Sequence, residues 1–153
     1  PMNAILYALR DLNKMRTFLY WYWLISPFVF FFYQYSASSI SGAGLQEMLN
    51  QPEIALTFLG ACMSLIMAGL LKGAESENEV TEKTFGIFAV AQQLLVGNIL
   101  GFLLSFFYAR VLWDAGGEPF APRLRWVLLG GMTLIGLLSL LTVVGNINMA
   151  LNR

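Results

Sequence analysis

Four long apolar runs, separated by short polar stretches, set the pattern of the chain: residues 17–35, 54–71, 85–113 and 126–145. A helix needs about 20 mainly apolar residues to cross roughly 30 Å of hydrocarbon. None of the runs carries Asp, Glu, Lys or Arg, apart from Arg110 near the end of the third. The runs are continuous rather than alternating, which argues against an outer-membrane barrel. In lipid a helix satisfies its own backbone groups. The pattern therefore predicts an all-α membrane protein with four transmembrane helices in a bundle, one domain over 2–153. The first run also resembles a signal peptide, with Arg10, Lys14 and Arg16 ahead of it and Ser36-Ala37-Ser38 behind. Its length and bulky aromatics weigh against that reading. Pro1 precedes Met2 and is set aside as a remnant of tag cleavage.

Ahead of the first run, Met2, Ile5, Leu6, Leu9, Leu12 and Met15 recur at helical spacing. This predicts a short amphipathic helix over 2–16 lying in the headgroup region; the competing reading is a straight extension of the first span. Gln46 to Asn50 suits a helical turn, and Pro52 suits the first position of the second span. Gly73 to Lys83 reads as a hydrated acidic turn, with Glu75, Glu77, Glu79 and Glu82 offered to a cytoplasmic partner. Asp114 to Pro122 reads as a Gly/Pro turn. The stretch from Ser36 to Glu53 has no Lys or Arg. Four spans then predict both termini on the cytoplasmic side of a cell or inner membrane. That places Arg10, Lys14, Arg16, Lys72, Lys83 and Arg153 inside, but Arg110, Arg123 and Arg125 outside.

Composition agrees with the pattern. The chain is 58% hydrophobic and 12% charged, about half the charge of a soluble domain. Net charge is zero, so no basic field exists for nucleic acid. There is no His and only one Cys, Cys62. Haem, zinc and a His general base are therefore not expected. No Gly-rich phosphate loop occurs. With the carboxylates in loops or near interfaces, no enzyme, cofactor or metal is expected.

The third run carries the candidate chemistry: Gln92, Gln93, Asn98 and Ser105. If residues 88–108 fill the hydrocarbon, Asn98 lies at its midplane. Primary amides must then face protein or water. Their spread around the helix suggests a span enclosed by its own bundle and by a neighbouring subunit. They could line a pore, or serve as interhelical hydrogen bonds worth about 0.6–2 kcal/mol each. Small residues recur as Gly97 with Gly101, Gly69 with Gly73, and Gly60 with Ser64. Such pairs suit close helix packing within the monomer or a homo-oligomer. Pro27 predicts a kink. Tyr20, Trp21, Tyr22 and Trp23, with Trp113 and Trp126 opposite, suit interfacial anchors. Asn146 and Asn148 are expected to end the fourth span. The leading functional reading is a small membrane subunit or scaffold that self-assembles or joins a larger complex. The alternatives are an oligomeric channel or small transporter with the amides near the path, and a lipid-binding protein.

Overall fold

In the computed structural model, residues 2–75, 79–116 and 125–152 are described, and every regular element among them is helical. A short α1 (Met2–Ala8) leads through a turn into α2 (Leu12–Ser41). Asp11 makes the boundary: its carboxylate accepts from the N–H groups of Asn13 and Lys14, capping α2. The amphipathic helix expected over 2–16 therefore ends at Ala8, because an N-cap aspartate gives the next helix its start. Gly42, with φ of 75°, stops α2 and donates to the Ser38 carbonyl. The turn α3 (Leu45–Leu49) and α4 (Pro52–Glu75) follow, with Pro52 at the first helical position.

The third apolar run is not one helix. It divides into α5 (Glu79–Leu95) and α6 (Ile99–Val111), which fold back on each other as a hairpin. Gly97, φ 75°, lets the Asn98 and Gly97 N–H groups turn back to the carbonyls of Gln93 and Leu94. Those two bonds form a Schellman stop. Asn98 then restarts the chain as N-cap of α6. Last comes α7 (Arg125–Leu151). It runs past the expected end at 145, so Asn146 and Asn148 are helical rather than terminal.

The helices close into a ring, α2–α4–α7–α5–α6 and back to α2, with α4 also touching α5 across it. One end of the ring holds Arg16, Glu75 and Glu82 together. Gly73 near Leu128 and Gly145 near Leu56 show α7 running antiparallel to α4. So α1 and the end of α7 lie at opposite ends of the bundle. The core is Met15, Leu19 and Trp23 of α2, Met63, Met67 and Leu71 of α4, Phe85 and Ala89 of α5, Tyr108 of α6 and Ile135 of α7.

Two helices, α4 and α7, are long and apolar enough to cross a membrane. The longer α2 is interrupted by Tyr, Trp, Ser and Pro. At 13 residues, α6 reaches only about 20 Å. The acidic segment is not a hydrated turn in its described part: Glu82 sits inside α5 at 2% exposure. Residues 76–78 of that segment, and 117–122 of the expected Gly/Pro turn, lie outside the described residues. Trp23 is not an interfacial anchor either; it is fully buried, edge-on to Phe85.

Candidate functional site

The break between α5 and α6 gathers the polar side chains of the third run. Asn98 is the hub. Its Oδ1 accepts from the Gly101 N–H at 3.0 Å, as an N-cap does, and from the Tyr22 hydroxyl of α2 at 2.6 Å. Gln92 and Gln93 end α5 and are both buried, at 2% exposure. Gln93 Nε2 donates to Gln92 Oε1. Gln93 Oε1 has no hydrogen-bond partner among the described residues. It lies in a notch that only glycine leaves open, since a Cβ on Gly101 would sit 1.8 Å from it.

These groups floor a cavity of about 510 Å³. Tyr22, Ser26, Pro27 and Phe30 of α2 form one wall. Glu53, Thr57, Gly60 and Ser64 of α4 form the next, and Thr142, Asn146 and Met149 of α7 another. Among the described residues, Glu53 is the one charged member of this lining. It and Asn146 are exposed, so the cavity opens at the end of the bundle away from Arg16.

Three helices, α2, α4 and α5, carry the same three layers. Starting from the Arg16 end, α2 presents Arg16, then Leu19 and Trp23, then Ser26. Along α5 the order is Glu82, Phe85 and Ala89, then Gln92 and Gln93. Along α4, read backwards, Glu75 gives way to Leu71 and Met67, then to Ser64 and Gly60. The cavity therefore ends on a plug of apolar side chains. Beyond the plug lies a charged clasp.

The clasp joins α2, α4, α5 and α6. Arg16 grips Glu82 in a fork: Nη2 donates to Oε1 at 2.6 Å and Nε to Oε2 at 3.0 Å. The Tyr108 hydroxyl donates to Oε2 at 2.6 Å. The other Arg16 nitrogen, Nη1, donates to Asn13 at 2.9 Å and lies 3.7 Å from Glu75. A bidentate guanidinium–carboxylate pair is among the stronger polar contacts. Here it leaves the Glu82 carboxylate with three donors, which a buried charge requires.

Comparison with family models, curated proteins and solved structures finds no match. What the site can do therefore rests on its own geometry.

Of the residues singled out in the sequence, Gln92, Gln93, Asn98, Gly60 and Ser64 meet at the cavity. Ser105 does not; it is fully buried one turn before Tyr108, and its hydroxyl has no partner among the described residues. Gly97 makes the turn and Gly101 the notch, so each has a task within one chain. Gly73 faces Leu128 of α7, and Gly69 is exposed with open space around it. The amides, polar on several sides of the run if it is one long helix, converge once that run is folded in two. Among the described residues no three His, Cys, Asp or Glu side chains gather where they could hold a metal ion.

Sequence reasoning missed Tyr22, Glu82 and Arg16. Glu82 falls on the stripe of Phe85, Ala89, Gln92 and Gln93, at helical spacing. That phase was the available signal that it turns inward.

Proposed function

We propose that this is a multi-pass membrane protein that binds and passes a small, uncharged, hydrogen-bonding solute through the cavity at the hairpin tip. In this reading α2, α4 and α7 cross the bilayer and α5–α6 is a re-entrant hairpin. The outward apolar side chains support it: Leu134, Leu137, Leu141 and Val144 of α7 are all exposed, a surface suited to lipid. The observation that carries the function is the cavity at the hairpin tip. Non-helical backbone at membrane depth is tolerated only where it is buried in protein or lines a water-filled cavity. The turn at 96–98 meets that condition through a polar vestibule of about 510 Å³. Its hydroxyls and amides offer donors and acceptors, Gln93 Oε1 is an acceptor without a partner among the described residues, and its depth carries no charge. That chemistry favours a neutral polar solute over an ion. The apolar plug and the Arg16–Glu82 clasp make this the form closed at the basic end.

The hairpin also favours a different topology from the four-span expectation. Arg10, Lys14, Arg16, Lys72, Lys83 and Arg110 all belong to one end of the bundle, and Arg125 opens α7 there. The stretch 36–53 at the other end has no Lys or Arg. By the positive-inside rule the Arg16 end is cytoplasmic. The vestibule then opens to the outside, as does the end of α7. Gln92 and Gln93 are buried within a single chain, so their polarity no longer argues for a neighbouring subunit.

Proteoliposomes test the function. Swelling by stopped-flow light scattering should show urea- or glycerol-sized solutes entering faster than in protein-free vesicles. Ser64→Trp, which fills the vestibule, should lower that rate at least tenfold. Folded wild-type protein that moves no such solute above the lipid background overturns the proposal.

A further inference from the structure

Outside the vestibule, two arginines have no ion pair or side-chain hydrogen bond among the described residues. Arg10 lies in the turn after α1, and Arg110 near the end of α6. Both line one cleft of about 310 Å³, with Leu6 and Leu9 on one side and Phe107 and Val111 on the other. Arg110 also borders a groove of about 700 Å³ on the outer face of the hairpin. That groove is apolar, lined by Ile87, Val90, Leu94 and Phe106, with Trp113 near its basic end. Lys83 adds a third cation there, its Nζ 5.6 Å from the centre of the Trp113 ring. In α1, Met2, Ile5 and Leu6 stay exposed, as suits a helix lying among headgroups.

Two cations converging at the head of an apolar channel match one ligand chemistry: a phosphate attached to a hydrocarbon chain. We propose that this cleft and groove form a binding site for an anionic phospholipid. Its phosphate lies between Arg10 and Arg110, and one acyl chain runs along α5 and α6 towards Leu94. The lipid would bridge α1 to the hairpin, two elements with no ion pair between them among the described residues. A zwitterionic lipid fits less well, because its own cation meets two guanidinium groups. Each cation near an anionic lipid is worth about fivefold in binding, and two together roughly 30-fold.

The inference rests on the membrane reading but not on solute passage. Protein purified in mild detergent is titrated with phosphatidylglycerol or phosphatidylcholine of identical chains, and bound lipid is counted by native mass spectrometry. Wild type should retain phosphatidylglycerol at least tenfold more strongly. Arg10→Gln with Arg110→Gln should remove most of that preference, with the unfolding temperature unchanged, since neither side chain is paired. Ala91→Phe, which narrows the groove without touching charge, should weaken both lipids. Lys14→Gln, a cation at the same end of the bundle that lies over the Tyr7 ring rather than in the cleft, should change little. Equal retention of the two lipids by wild type, or a loss in Lys14→Gln as large as in the arginine pair, overturns the site. Protein that needs no detergent to leave the membrane fraction would instead sink the membrane reading itself.

Discussion

Replacing Gly101 with alanine sets two effects of opposite sign against each other. Gly101 lies in the first turn of α6. On helix propensity alone, alanine should stabilise the helix by up to about 1 kcal/mol. The notch says otherwise. The new methyl would sit 1.8 Å from Gln93 Oε1 and 2.8 Å from Asn98 Nδ2. Gln93 is buried, so its amide has no free space to move into and must give up its bond to Gln92. Overpacking of this kind costs about 1–3 kcal/mol, and the lost side-chain hydrogen bond within α5 about 0.5–1.5 kcal/mol. After a propensity gain of up to about 1 kcal/mol, a net loss of about 0.5–4 kcal/mol is expected. Gly69→Ala is the matched control: its added methyl meets nothing within 4 Å, so only the gain remains, about 0.5–1 kcal/mol. Unfolding in mixed micelles followed by circular dichroism reads both. Shortening Gln93 to alanine in the Gly101→Ala background should recover most of the loss, and the double-mutant cycle isolates the coupling. If Gly101→Ala is as stable as Gly69→Ala, or shows no coupling to Gln93, the notch does not exist as described. A change in oligomer mass with unchanged monomer stability would instead mean that Gly101 serves contact between copies.

The clasp and the topology give further tests. Glu82→Gln leaves the Arg16 guanidinium with Asn13 and the 3.7 Å contact to Glu75, and should cost about 3 kcal/mol, the lower end for a broken buried pair, because Arg16 also keeps 16% side-chain exposure. Tyr108→Phe removes one bond to a charged oxygen, about 1.5–3 kcal/mol. Arg16→Met with Glu82→Met and Tyr108→Phe, which removes all three polar partners together, should regain most of the Glu82→Gln loss, and a triple variant weaker than Glu82→Gln would contradict this account. For topology, single cysteines at Ser39 and Asn152 in a Cys62→Ala background should both react with an impermeant external thiol reagent, while one at Lys14 stays protected. Labelling at Ser39 with protection at Asn152 would mean that residues 85–113 cross the membrane once.

How far the chain could be read in advance differs from element to element. The limits of α4 follow from Pro52 and from the length of the apolar run, and α3 from the turn before it. The hairpin was hidden by its own composition. Residues 85–113 are apolar enough to pass as one long span, and a hydropathy average does not register caps. Gly97-Asn98 is a helix stop followed by a helix start, yet Gly97 also fits a small-residue pair with Gly101. The inward face of α2 was legible: Met15, Leu19, Trp23 and Pro27 recur every four residues and are all buried. Reading Tyr20 to Trp23 as a band of anchors ignored that phase, which sends Trp23 to the core and Tyr22 towards Asn98. The Arg16–Glu82–Tyr108 clasp could not be read from local pattern. It joins positions 66 and 26 residues apart, and only the fold brings them together.

On the membrane topology proposed above, the folded-back hairpin would place a demand on how the protein is made. As residues 85–113 leave the ribosome they look to the insertion machinery like an ordinary crossing segment, and a through-going path would deliver α7 to the membrane in the reverse sense. Arg123 and Arg125 come next in the chain. Carrying them across the bilayer is costly, whereas keeping them on the cytoplasmic side obliges the preceding segment to return the way it came. On the proposed topology, Arg123 before α7 and Arg125 at its start would select, during synthesis, between a chain that threads straight through and one that doubles back to build the vestibule floor.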